Sequence, residues 1–140
     1  MSRYQCRCIR KSAFCLLAGV FLYALLNRNI YVFEQFAGAL QLLPYIGNSK
    51  NTIVLFIRCF GCDALWSAAL TYMVQAVLVF PARKLRWLTL CVTPGILFEC
   101  LQSAGIAGGT ADALDCIAYA AGCVAAAADI KGGLKNEENL

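Results

Sequence analysis

Residues 63–80 read DALWSAALTYMVQAVLVF: one aspartate, then no further charge before Pro81 and the basic turn of Arg83, Lys84 and Arg86. A largely uncharged run of this length is long enough to cross the hydrocarbon core of a bilayer as a helix, and a proline directly after it ends the helix. The run does not alternate, so a strand does not account for it. This segment fixes the solvent of the fold as lipid.

Composition agrees. Of 140 residues, 61% are hydrophobic and 14% charged, against roughly 45–50% and about 25% in soluble domains. A soluble fold of this size buries only about two-thirds of its unfolded surface, too little to hide so much apolar side chain. In lipid the backbone must satisfy itself, and helices are the choice here. Toward the N-terminus, Ser12 to Leu26 is a first apolar run behind Arg3, Arg7, Arg10 and Lys11. It shares features with a signal peptide, but no small-x-small cleavage site comes after it, so an uncleaved helix is expected. Ile30 to Ile46 is mildly apolar and broken by Glu34, Gln35, Gly38, Gln41 and Pro44, as in an interfacial or re-entrant helix. Ile53 to Phe60 is interrupted by Arg58 and then broken by Gly61. Toward the C-terminus, Trp87 to Ser103 is a third span with a kink expected at Pro94-Gly95, and Asp112 to Ala128 a fourth. The expected architecture is an all-α polytopic bundle of about four transmembrane helices. It forms one domain over residues 1–130, with a polar cytoplasmic tail over 131–140.

Basic residues set the expected orientation. Nine of them (Arg3, Arg7, Arg10, Lys11, Arg83, Lys84, Arg86, Lys131, Lys135) fall on one side of this topology and three (Arg28, Lys50, Arg58) on the other. By the positive-inside rule both termini face the cytoplasm of an inner membrane. The net charge of +4 belongs to these flanks and implies no nucleic-acid partner; membrane lipid is the expected partner. Trp66 and Trp87 suit interfacial anchors at the outer and inner surfaces. There is no histidine, and of nine cysteines Cys15, Cys91, Cys100, Cys116 and Cys123 lie in apolar runs as small hydrophobes. The pairs Cys6/Cys8 and Cys59/Cys62 lie on opposite sides and cannot share a zinc ion. A Cys59–Cys62 disulfide and reduced, packed thiols both fit an outward-facing loop. No metal and no cofactor are expected.

Polar residues inside the spans carry the functional signal, because an ionised carboxylate at mid-bilayer costs roughly 2.5–3.5 kcal/mol even on a lenient scale. Asp63, Glu99, Asp112 and Asp115 all fall toward the outer face. Glu99 and Gln102 share one helix face, as do Asp112, Asp115 and Tyr119. Gly122 and Ala126 continue that face, with Ala118-x-x-x-Gly122 as a small-residue contact. The third and fourth spans should therefore pack antiparallel, with a shallow acidic site between them. Asp63, Thr110 and Asp112 also suit helix N-caps. Glu99, near a helix C-terminus, is not explained by capping, and an interhelical hydrogen bond and a ligand role both remain open for it. Tyr119 could equally be a packing aromatic, and Arg58 a countercharge or an interfacial arginine.

The stretch Phe98-Glu99-x-x-Gln102, a short turn, then Gly109-Thr110-Ala111-Asp112-x-x-Asp115-x-x-x-Tyr119-x-x-Gly122 resembles the signature of VanZ-like membrane proteins. That family carries E-x-x-Q near the end of one span and D-x-x-D-x-x-x-N-x-x-G at the start of the last. Asp63-Ala64-Leu65-Trp66 is similar to the D-x-L-W element of a short branch of the family. Gly109 stands where the family has arginine and Tyr119 where it has asparagine, so a charge partner and an amide are missing. The family is named for a protein linked to glycopeptide-antibiotic resistance, and the resemblance implies a fold and a site rather than a reaction. Three functions are compatible with these residues. In the first, Asp63, Glu99, Gln102, Thr110, Asp112, Asp115 and Tyr119 hold a polar or cationic envelope ligand at the outer leaflet: a lipid-linked head group, a glycan or a cation. In the second, the polar residues only glue helices together. In the third, weaker because no activated serine, cysteine or histidine is present, paired carboxylates act on a lipid-linked substrate.

Overall fold

Ser2 and Gln5 start the first helix by bonding each other. The Gln5 N–H donates to Ser2 Oγ at 3.1 Å, and the Ser2 N–H donates to Gln5 Oε1 at 2.8 Å. This reciprocal capping box starts helix α1 at Arg3, so it runs Arg3–Leu26. The basic residues expected to precede the first span thus form its opening turns. In this computed structural model the described residues are 1–26, 51–108 and 110–138. The expected interfacial segment Ile30 to Ile46, Gly109, and the side chains of Arg58 and Cys59 lie outside the described part.

The described residues contain helices and no strand. Asn51 caps α2 (Thr52–Phe56), its side chain accepting from the Ile53 N–H at 2.9 Å. Gly61, expected to break the helix, does not. Phe56, Ile57, Gly61 and Cys62 all keep right-handed helical backbone, and Ile57–Gly61 forms a single π-helical turn that passes directly into α3 (Cys62–Leu78). The helix expected as the second span is thus longer than expected, and Asp63 is internal to a continuous helical rod rather than its cap. The rod ends at Val79, which takes φ 47 and ψ 56 while its N–H donates to the Gln75 carbonyl. A β-branched residue in left-handed backbone is strained by roughly 1–2 kcal/mol. Val79→Gly is expected to raise stability by about 1 kcal/mol, after glycine's own entropy cost, visible as a higher melting temperature in detergent.

The segment expected as the third span also departs from a single kinked helix. Residues Ala82–Val92 form a 3-10 helix, which leads into α4 (Thr93–Ser103). With three residues per turn, side chains three apart line up. Leu85, Leu88 and Cys91 form such a line, and all three are buried, Leu88 completely. Pro94 then sits in the first turn of α4, where its missing N–H leaves no helical bond unmade. The expected kink is replaced by a change of helix type. Finally, α5 runs Ala113–Glu138, so residues 131–138 continue the last helix where a separate tail was expected.

Helix α3 is central, packing along α1 on one side and α5 on the other, while the 3-10 segment and α4 lie against α5. Close approach is set by missing side chains. A Cβ on Gly122 would overlap the Ala64 backbone carbonyl, and one on Gly19 would meet Trp66 Nε1 at 3.1 Å. Ala118, Gly122, Cys123 and Ala126 of α5 are buried, so the expected small-residue face is the packed one. Two helices, Arg3–Leu25 and Ala113–Leu134, are long and apolar enough to cross a membrane, yet only 22% and 28% of their most apolar windows are buried within the fold. Phe14, Leu17, Val77, Leu90 and Ile117 are 60–71% exposed. So much exposed apolar surface marks an interaction with something other than water.

Candidate functional site: an acidic cluster at one end of the bundle

The turn joining α4 to α5 is held by the residues that flank it. Gln102 Nε2 donates to the Gly108 carbonyl at 3.0 Å, and Asp112 caps α5 by accepting from the Leu114 N–H at 2.8 Å. Glu99 reaches across: its Oε2 accepts from the Asp112 N–H at 2.9 Å, although its side chain is only 7% exposed. One face of α4 therefore reaches the start of α5. Glu99 fixes the incoming helix, and Gln102 turns to the loop rather than to the acids.

Asp63 approaches from the opposite flank. It lies within electrostatic reach of Asp115, Glu99 and the Tyr119 phenol; Asp115 in turn senses Glu99 and Asp112. Tyr119 is held at two points, with its phenol near Asp63. Its carbonyl accepts from Ser67 Oγ at 2.6 Å, and its ring lies where a Cβ on Gly95 would be. The small residue at position 95 makes room for the aromatic ring of Tyr119.

The structure thus brings Asp63, Glu99, Asp112, Asp115 and Tyr119 together, while Gln102 points to the turn and Thr110 is exposed and outside the helix. Among the described residues, no lysine or arginine pairs with any of the four carboxylates, and no three acidic or thiol side chains are close enough to hold a metal ion. A cleft of about 320 Å³ opens between α4 and α5, lined by Ile96, Glu99, Cys100, Ser103, Asp112 and Cys116 among others. An apolar groove of about 320 Å³ lies on the far side, between Phe56, Phe60, Ala64 and Ile117. Cys62 is buried, its free thiol directed at the Gly19 carbonyl 3.8 Å away, while the side chain of Cys59, its expected partner in a disulfide, lies outside the described part.

Two polar features go beyond the expected site. In α3, Asp63, Ser67, Thr71 and Gln75 recur at four-residue spacing, and the last three are buried. Thr71 Oγ1 donates to the Ser67 carbonyl at 2.8 Å, and Gln75 Nε2 donates to Tyr4 Oη at 3.1 Å and to the Phe80 carbonyl at 2.9 Å. The four-residue period is visible in residues 63–80 and marks the face of α3 turned to the other helices. The second feature, at the opposite end, joins α1 to α5: Lys11 Nζ lies 2.5 Å from Asp129 Oδ2, which also accepts from Tyr72 Oη at 2.9 Å. Asp129 carries no signal in the sequence, since it stands just past the last apolar residue of the fourth run. No family model, characterised protein or solved structure matches the chain.

Proposed function

We propose that this is a four-pass inner-membrane protein of VanZ-like type, whose acidic cluster faces the outer leaflet and binds the polar or cationic head group of an envelope ligand. The observation that carries the reading is four carboxylates at one end of an apolar bundle with no basic partner among the described residues. Carboxylates drawn together without a countercharge repel one another, and a ligand bearing an ammonium group or hydrogen-bonding hydroxyls would offset this. An organic head group suits the spacing better than a metal ion, given that no metal-sized grouping is present among the described residues.

Helix lengths support four passes. Thr52 to Leu78 spans roughly 40 Å at 1.5 Å per residue, and the 3-10 segment with α4 adds up to about 38 Å because 3-10 geometry rises about 2 Å per residue. Both exceed the hydrocarbon thickness of about 30 Å. The excess of arginine and lysine near the termini and in the Arg83–Arg86 turn supports an inward-facing orientation for that end. A second reading, that the polar residues only hold helices together, is favoured by the bond between Glu99 and the Asp112 N–H.

Single amides separate the two. Glu99→Gln keeps an oxygen for the Asp112 N–H, and Asp63→Asn and Asp115→Asn keep their shapes. Each is expected to leave membrane level and melting temperature unchanged while reducing co-purified envelope lipid by about tenfold, the scale of one lost charge-assisted hydrogen bond, measured by mass spectrometry of protein extracted from native membranes. Equal lipid retention in all three would leave the helix-glue reading standing.

A further inference from the structure

A second pocket lies at the end of the bundle opposite the acids, between the first turns of α1, the middle of α3 and the last turns of α5. It measures about 340 Å³ and is lined by Tyr4, Arg7, Lys11, Tyr72, Asp129 and Gly132, among others. Its polar groups are a guanidinium, an ammonium, two phenols and one carboxylate. The carboxylate of Asp129 is already taken by Lys11 Nζ and Tyr72 Oη, and Lys11 Nζ lies 5.7 Å from the centre of the Tyr72 ring. Tyr4 and Tyr72 are buried, so the phenols are held in place, whereas Lys11 is 39% exposed and open to a ligand. The floor is bare: a Cβ on Gly132 would meet nothing within 4 Å, and one on Gly133 would come no nearer than 3.8 Å to Arg7 Nη1.

We propose that this pocket binds the phosphate of an anionic phospholipid head group. An arginine and a lysine side by side at an open pocket beside two glycines match the charge and the several acceptor oxygens of a phosphate. A lipid source is favoured over a soluble phosphate by location. The pocket sits at the polar ends of the two helices long and apolar enough to cross a membrane, and Phe14 and Leu17 of α1, one and two turns further along, are each 71% exposed, offering an apolar flank to acyl chains. Basic pockets between helices on the cytoplasmic side are suited to anionic head groups. The inference shares the membrane reading with the proposed function but uses none of the acidic site.

The test is lipid retention by the purified full-length protein in nanodiscs of phosphatidylcholine alone or phosphatidylcholine mixed with phosphatidylglycerol, read by native mass spectrometry and melting temperature. Both faces of a nanodisc are accessible, so the outcome does not depend on orientation. Wild-type protein is expected to retain phosphatidylglycerol preferentially. Arg7→Gln should lower that retention about fivefold, the scale of one cation near a membrane surface. Gly132→Leu, which fills the pocket without touching a charge, should do the same even if Arg7→Gln proves poorly folded. Asp129→Asn, which removes the competing anion, should raise retention; a pocket for cations would lose affinity instead. Equal retention of the two lipids by wild type, or unchanged retention in folded Gly132→Leu, would overturn the proposal. So would inorganic phosphate displacing phosphatidylglycerol at millimolar concentration, which would make this a site for the free anion. Loss of the lipid preference in these variants but not in the acidic-site amides would separate the two sites.

Discussion

Gly122→Val is expected to prevent the bundle from assembling. Even the first carbon of a side chain at position 122 would overlap the Ala64 carbonyl, and that obstacle is backbone, which cannot rotate away. Helices α3 and α5 would have to separate along the face that also buries Ala118, Cys123 and Ala126. Overpacking costs typically 1–3 kcal/mol and more where nothing can yield, and in lipid close backbone approach is a principal source of helix association. The effect should therefore sit at or above the top of that range, with little monodisperse protein left after detergent extraction. Gly108→Ala, where a Cβ would meet nothing within 4 Å, is the matched control and should behave as wild type. A wild-type elution profile and melting temperature for Gly122→Val would mean that α3 and α5 do not meet at this point.

Gln75→Glu is the second large effect. Gln75 is fully buried; its amide nitrogen donates to Tyr4 Oη and the Phe80 carbonyl, and its Oε1 has no partner among the described groups. An ionised glutamate here loses both donated bonds, faces the Phe80 carbonyl with a second acceptor, and buries a charge. Leaving a buried polar group unpaired costs about 1–3 kcal/mol, and more for a charged one, so a loss of about 3 kcal/mol or more is expected. Gln75→Leu removes the unpartnered oxygen together with the donors and should cost clearly less, on the order of 1 kcal/mol. Comparing the two melting temperatures separates burial of charge from loss of shape. Were glutamate tolerated as well as leucine, the site would have to be wet.

These two positions show how far residues alone can be read. The small-residue face of α5 comes from the spacing of Ala118, Gly122 and Ala126, because in lipid small residues mark where helices touch. The gathering of Asp63, Glu99, Asp112 and Asp115 at one end comes from the alternating direction of the apolar runs and from the cost of carboxylates in hydrocarbon. Helix type was not legible. Whether Ala82–Val92 winds as a 3-10 helix is decided by what Leu85, Leu88 and Cys91 pack against, and hydropathy is blind to that, as it is to the π turn at Ile57–Gly61. Asp63 resembles a cap only if glycine at 61 is a break, yet Gly61 keeps ordinary helical backbone at φ −64 and ψ −40. The Lys11–Asp129 pair, 118 residues apart in the chain, needs the tertiary structure to bring its partners together. Ser67, Thr71 and Gln75 are legible at four-residue spacing, but single hydroxyls and amides in an apolar run carry less weight than charges.

Both proposed sites depend on one topology, in which the acidic and basic ends of this bundle lie on opposite sides of a membrane. Cys62, being buried, is a poor reporter of it; Thr110 and Ser2, both exposed and at opposite ends, are better. In a cysteine-free background that keeps the wild-type melting temperature, Thr110→Cys should react with a membrane-impermeant maleimide applied to intact cells, and Ser2→Cys should react only after the cells are opened. Labelling of both positions from outside would put the two ends on one side, and labelling of Ser2→Cys alone would invert the orientation; either result refutes this topology.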